Sequence, residues 1–576
     1  MFCFDDVTVD EKNYRLQKGG EARGLTPRAF DVLLYLIKQD GRLVEKQEIF
    51  EQIWKESFVT DNALTRVIKE IRQAIGDDAA NPIYIETIPK RGYRFAAALE
   101  NKAQLSAVEA AVPVTPPTPT VAILPFKIFG SNDDGGGDEF LGIGMADALI
   151  TRLSNSRKVA VRPTSSILHY AQSEKLPGEA GTELGVGAVL EGSIRRAGGR
   201  FRVTVQLVDV STGNPLWAEK FDEDFTDIFS VEDSIAARVA EALSLHLSAD
   251  EISLLKKHYT ENPEAHEAYL KGRYYANKFT LENFHKATRS FERALEFDPD
   301  YALAYAGIAE ANWIAADLYL NPKEALQTVK EKAATAIELD PNLAEGHTFF
   351  GAALQSIDWN WSEAEKHYRR AIELNPNFAP AHQWFGWLLS VLGRHDEAIV
   401  ESETAKRLDP FSIGVNWFLI VSYGFARQFE NAAEKAKNLI DIQPYFWGGY
   451  WSLGYCCAEM GKYKEALQHY QKAAELDNSP MISSAMATAY ALSGQKDKAR
   501  ELLDKLKEAE KASYVPPYYV AMIHEALGET DEAFIYLEKA FEMRDSSLAA
   551  LKVDSRFDGL RKDKRFKTLV KKIGLE

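Results

Sequence analysis

Cysteine is almost missing from this 576-residue chain: Cys3, Cys456 and Cys457 are all there is, and the last two are adjacent. They cannot make a disulfide framework, and no His/Cys cluster has zinc-ligand spacing. Long apolar runs are missing too. The two charge-free stretches, 16 residues between Pro410 and Arg427 and 17 between Asp441 and Glu459, fall short of the roughly 20 that span a bilayer. Both read as buried helix. The acidic, charge-broken start MFCFDDVTVDEKNYRL has neither the basic head nor the apolar centre of a secretory signal. Basic residues are in deficit, 68 Lys+Arg against 85 Asp+Glu for a net charge of -17, so any nucleic-acid surface has to be a local patch on an acidic body. No GxxxxGK[ST], HExxH or GxSxG occurs, and the eleven His are scattered. These absences describe a cytoplasmic chain with no membrane span, no metal, no cofactor and no catalytic constellation.

What is present divides into domains, as the length demands. Composition shifts near residue 99, where NKAQLSAVEAAVPVTPPTPT carries four prolines and no hydrophobic period, a semi-rigid linker. The 98 residues before it hold 15 Lys+Arg and 16 Asp+Glu, so the acidity lies behind the linker. From residue 262 onward the dipeptides Asp298-Pro299, Asp340-Pro341, Asn375-Pro376, Asp409-Pro410, Gln443-Pro444 and Asp477-Asn478 recur at steps of 42, 35, 34, 34 and 34 residues. Small residues such as Gly386, Ala398, Gly454 and Ala466 recur in phase, where helix pairs must approach closely, and Pro follows each second helix. This period identifies tetratricopeptide repeats, about eight of them across 262–547. Residues 120–250 alternate strand and helix signals, with strands expected near Val121–Phe126, Val159–Arg162, Ala188–Ile194, Phe201–Val208 and Leu216–Phe221. The expected fold is multidomain and mainly α: an α+β domain over 1–98, a linker over 99–119, an α/β domain over 120–250, the α-solenoid, and a capping helix over 548–576.

The N-terminal domain carries the chemistry. In LTPRAFDVLLYLIKQDG, Thr26 and Pro27 start a helix with core stripe Phe30, Leu33, Leu34 and Ile37, and Ile49, Ile53 and Trp54 line a second. Leu64, Ile68, Ile71 and Ile75 then recur at i, i+4, i+7 and i+11, so they face the core of a third. Its other face holds Asn62, Thr65, Arg66, Lys69, Arg72 and Gln73, cations for phosphates and forked donors for purine edges. Lys90, Arg91 and Arg94 sit on a hairpin formed by Tyr84–Ile88 and Tyr93–Phe95. A solvated helix face is the bland reading of such a pattern. Residues 25–95 nonetheless resemble, as a whole, the winged helix-turn-helix of OmpR/PhoB-type regulators, in the form found in CadC/ToxR-type proteins. The resemblance implies a third helix in the DNA major groove, a wing at Lys90-Arg91-Gly92 in the minor groove, and binding of double-stranded DNA by a dimer on tandem half-sites. No receiver domain with a phosphoacceptor Asp precedes the winged segment in this sequence, and no spanning segment follows it.

Segments VAILPFKIFG, LGIGMADALITRLSNSRKVAVRPTSSILHY and GAVLEGSIRRAGGRFRVTVQLVDVSTGNPLWAEKFDEDF resemble the TolB N-terminal-like domain, which implies an accessory or sensing module. Gly136-Gly137-Asp138-Glu139-Phe140 spells a diguanylate cyclase signature, but without the surrounding domain it reads as an acidic loop. In the repeat fold, the first helix of each repeat lines a groove, which places Gln383, Trp387, Trp417, Phe425, Trp451 and Tyr455 there, suited to a protein, peptide or small-molecule effector. Packing between helices is the competing role for these aromatics. The sequence thus points to a DNA-binding transcriptional regulator with a sensing or assembly array. An interaction scaffold whose winged domain no longer binds DNA is the alternative, and a cyclic-nucleotide enzyme the remote one.

Overall fold

The computed structural model describes residues 2–576 except 5–6, 11–14, 19–20, 24, 26, 40–41, 54–60, 79–81, 89–90, 97–118, 130–138, 157, 172, 174, 198–199, 225–227, 246, 256, 279, 319–321 and 512–513. The expected linker and much of the GGDEF run therefore lie outside the described residues, as do Trp54 and Lys90. The chain forms two compact units, residues 1–116 and 117–576.

In the first unit, four short antiparallel strands, β1 (Phe2–Phe4), β2 (Val7–Asp10), β3 (Arg15–Lys18) and β4 (Glu21–Arg23), form a meander. No sustained alternation marks it in the sequence, because each strand has only three or four residues and charges stand within or beside them. Phe4, Val7, Val9 and Leu16 point into the core, and Phe4 sits edge-on to Tyr84 and Phe95 at 5.1 and 4.9 Å. Helices α1 (Pro27–Lys38), α2 (Lys46–Ile53) and α3 (Asp61–Ile75) follow, with β5 (Val44–Glu45) joining the hairpin β6 (Ile85–Ile88) and β7 (Gly92–Phe95) in the order β5-β7-β6. The expected stripes, Phe30, Leu33, Leu34 and Ile37 on α1 and Leu64, Ile68, Ile71 and Ile75 on α3, are all buried.

The second unit opens with a mixed sheet of β8 (Thr120–Ile123), β9 (Lys127–Phe129), β10 (Ala160–Val161), β11 (Ala188–Ala197), β12 (Arg200–Asp209) and β13 (Pro215–Asp224), ordered β10-β8-β11-β12-β13 with β9 beside β11. Helix Glu139–Ser154 begins inside the GGDEF run, so Glu139 and Phe140 are helical rather than loop, and Phe140 is buried.

Sixteen helices among the described residues, from Pro263–Ala276 to Thr530–Glu542, then pack as eight consecutive pairs. Small residues set their approach: a Cβ on Gly386 would lie 2.6 Å from Ser402 Oγ, and one on Gly454 would lie 2.7 Å from the Tyr470 ring. The Asp/Asn-Pro period has a hydrogen-bond basis. Asp298, Asp340 and Asn375 each accept from the backbone N–H two residues on, at 3.0–3.1 Å. The Pro341, Pro376 and Pro410 carbonyls accept from His347, His382 and Asn416, each six residues later, at 2.9–3.0 Å. The 35-residue step also has a cause. Leu354–Asp358 is a π-helical turn, which absorbs one residue beyond the 34-residue period.

The α/β module and the repeats share one hydrophobic core running from Val121 to Leu343, so residues 120–250 and 262–547 are not independent bodies. Arg152 donates to Glu232 at 2.8 Å and His266 lies 2.9 Å from the same carboxylate. Burial pushes Glu232 up, but His266 and Arg152 outweigh it and hold the group below its usual range. Further along, Asn377 Nδ2 donates to Val159 O at 3.0 Å and Ser166 Oγ to Asp409 at 2.6 Å. Beside this seam, burial pushes the Glu345 carboxyl up to about 7, aided by Glu310 and Asp340 against Arg273. The folded state then holds a proton between pH 4.5 and 7 that the unfolded chain has released, so stability falls as pH rises through that window. Glu345→Gln is expected to flatten the pH 5–8 dependence of the thermal midpoint and raise it at pH 8, as read by calorimetry.

Among the described residues no helix is long and apolar enough to cross a membrane. The two charge-free runs form Ile413–Phe425 and Trp447–Glu459, the first helices of the fifth and sixth pairs.

Candidate nucleic-acid interface

With its apolar stripe held in the core, α3 leaves Thr65, Arg66, Lys69 and Gln73 exposed on one face. Asn62 lies on the first turn of α3, outside the residues whose side chains are described. Arg72 corrects the sequence reading. It is only 9% exposed, and its guanidinium donates to Ile85 O at 2.6 Å and to Thr87 Oγ1 at 3.0 Å, with Asp77 at 3.5 Å. A side chain so placed locks the helix to the hairpin and is withdrawn from any groove. Its partner Asp77 was missed. Its carboxylate accepts from the N–H groups of Ile83 at 2.7 Å, Tyr84 at 3.2 Å and Ile85 at 3.0 Å, so the turn after α3 is organised around one acid. The signal was the Gly76-Asp77 pair, since Gly76 adopts φ +74° and ends the helix.

On the hairpin, Arg91 is exposed at the turn, where its N–H bonds to Ile88 O at 3.0 Å. Arg94 is half-buried and pairs across the strands with Glu86 at 2.9 Å through Nε, so its charge is neutralised locally. The structure therefore gathers Thr65, Arg66, Lys69 and Gln73 on one helix face, with Arg91 at the tip of the neighbouring hairpin, and turns Arg72 and Arg94 to structural pairings. Gly92 is needed for the close approach of β5: a Cβ there would lie 1.9 Å from Val44 O. Gly92→Ala is expected to cost about 2 kcal/mol through that clash, read as a lowered denaturation midpoint of the first unit.

The aromatics expected to line a repeat groove fall into two groups. Trp417 packs against Phe446, Trp447 and Trp451 at 5.7, 5.5 and 6.4 Å, bridging adjacent repeats, while Trp451 stacks on Tyr455 within one helix. Gln383 is buried beside Gly414. Trp387, Phe425 and Tyr455 are covered by the chain's own C-terminal segment. That segment is not one capping helix: it comprises 3-10 turns Ser546–Ala550 and Ser555–Leu560 and helix Lys564–Lys572, folded back so that Trp361 Nε1 donates to Ile573 O at 2.8 Å.

Residues 20–95 match the family model "Transcriptional regulatory protein, C terminal", and residues 367–400, 452–480 and 520–546 match tetratricopeptide repeat models. An OmpR/PhoB-type winged domain thus precedes a helical repeat region. Similar proteins include "Putative adenylate cyclase 3" of Rhizobium meliloti (strain 1021), 33% identical over 256 residues, which are 44% of this chain and 40% of that protein. Transcriptional regulator HilA of Salmonella typhi is 24% identical over 419 residues, 71% of this chain and 70% of HilA. Transcriptional activator CadC of Escherichia coli (strain K12) is 35% identical over 81 residues, 14% of this chain and 16% of CadC. The chain spans about two fifths of the length of the first of these.

Proposed function

We propose that this protein is a sequence-specific DNA-binding transcriptional regulator and not an enzyme. The observation that carries the reading is the cluster Thr65, Arg66, Lys69 and Gln73, exposed on one face of a helix whose other face is buried. A major groove about 12 Å wide admits such a helix, with Arg and Gln able to donate to purine edges while Lys meets phosphate. Arg91 at the hairpin tip reaches the minor groove, and Asn62 and Lys90 join the DNA-binding residues on the strength of the sequence pattern. Two copies on tandem half-sites are the expected arrangement on double-stranded DNA, and the repeats with their α/β module, TolB-like in sequence, serve as a cytoplasmic sensing or assembly body. HilA and CadC, both named as transcription regulators, support this reading.

Selection of bound duplexes from random DNA is expected to enrich a motif with the full-length protein and with residues 1–116, and to enrich none with Arg66→Ala/Lys69→Ala. If the double variant enriches the same motif, this face does not read DNA. If neither wild-type form enriches any, the scaffold reading takes its place. Incubation with GTP or ATP and Mg2+ is expected to give no cyclic product.

A further inference from the structure

A tetratricopeptide array makes contacts between neighbouring repeats, but here one segment reaches four of them. Residues 546–560 lie across the first helices of the fourth, fifth, sixth and eighth pairs. Lys552 Nζ donates to Leu392 O at 3.1 Å in the fourth. In the fifth, Ala550 and Val553 cluster with Phe425, joined by Trp387 of the fourth. Arg427 donates twice to Asp558, at 2.7 and 2.8 Å. Tyr455 of the sixth lies 3.3 Å from Ser555 Oγ, and Tyr518 of the eighth donates to Asp554 at 2.7 Å. The segment's centre is a forked pair, Arg556 to Asp554 at 2.6 and 2.8 Å, with the guanidinium 5.4 Å from the Tyr455 ring centre and Phe557 edge-on to Tyr518 at 5.0 Å. Gly559 is closely fitted, since a Cβ there would lie 2.1 Å from Glu525 Oε1.

Most of these contacts join side chains, or side chains to a backbone carbonyl, and the segment has only short 3-10 turns of its own. A groove reads a docked segment in this way, through an aromatic anchor and desolvated polar pairs. We propose that the first-helix face of the fourth, fifth, sixth and eighth repeats is a peptide-binding site that the chain fills with its own residues 546–560. The site takes partner segments of the same chemistry: a carboxylate, an arginine two residues on, and an aromatic directly after it, as in Asp554-Ser555-Arg556-Phe557. A partner reaches it by displacing the resident segment. This inference rests on the repeats being a sensing or assembly surface, and it names what they sense.

The test uses the full chain and a fluorescent synthetic peptide of residues 546–560. Arg556→Ala loosens the resident segment by removing the guanidinium that forks onto Asp554. The expected result is saturable binding of the peptide by Arg556→Ala, at least tenfold tighter than by wild type, and at least tenfold loss when the peptide itself carries Arg556→Ala. Asp558→Ala, which removes the part-exposed pairs with Arg427 and Arg561, is the second variant and is expected to bind the peptide more tightly than wild type does. Both variants are checked by circular dichroism. Folded Arg556→Ala or Asp558→Ala protein that binds no better than wild type, or equal binding of both peptides, would overturn the proposal. DNA affinity is measured separately with and without peptide. Peptide binding that leaves DNA affinity unchanged upholds the site and contradicts its coupling to the winged domain.

Discussion

Arg72→Met is expected to destabilise the first unit by about 3 kcal/mol, the scale for removing one partner of a buried ion pair. For a domain of this size that corresponds to a fall of roughly 12–20 °C in thermal midpoint. The loss does not come from volume, because methionine fills most of the space. It comes from Asp77, whose side chain is fully buried and would keep its three N–H donors but lose the guanidinium. Ile85 O and Thr87 Oγ1 would each lose a donor as well. Arg72→Met/Asp77→Asn is expected to be less destabilised than the sum of the two single variants, since no uncompensated charge remains. Additive effects in calorimetry would mean that the pair is not coupled. DNA affinity is expected to fall with Arg72→Met only to the extent that the domain unfolds, and stabilising co-solvent should restore it.

Arg66→Ala/Lys69→Ala has the opposite signature. Both side chains are exposed on α3, so the variant should melt within a few degrees of wild type. On a selected duplex, loss of a base-edge contact worth roughly 1–3 kcal/mol together with a phosphate contact should weaken binding about 10- to 1000-fold. The slope of log K against log salt should become shallower by about 1–2, because each neutralised phosphate contributes about 0.9. Unchanged affinity and slope, measured by fluorescence anisotropy at three salt concentrations, would contradict the reading of this face.

The contrast between Arg72 and Arg66 shows what a single sequence can and cannot give. At about 100° per residue, Arg66 and Lys69 lie well away from the apolar arc of Leu64, Ile68, Ile71 and Ile75, whereas Arg72 lies only about 40° around the helix from Ile68. Spacing therefore placed Arg72 at the edge of the buried arc, and only its pairing with Asp77 and the hairpin decides that it faces inward. The repeats were legible because each Asp/Asn-Pro step records a local event, a helix end followed by a capped turn, within one period. The N-terminal meander was not, because its strands have three or four residues and alternate with charges. The C-terminal segment was not either. Its partners, Leu392, Arg427, Tyr455 and Tyr518, lie from roughly 30 to 160 residues away in the chain, and no period links them to it. The aromatics singled out in the sequence lie on first helices of their pairs, but what covers three of them could be seen only in three dimensions.

The most direct measurement is amide hydrogen exchange on the full-length protein with and without its selected duplex. The account predicts new protection concentrated in residues 61–75 and around the β6–β7 turn, abolished in Arg66→Ala/Lys69→Ala. Protection confined to other segments, or no change in these two while DNA is bound, would contradict it.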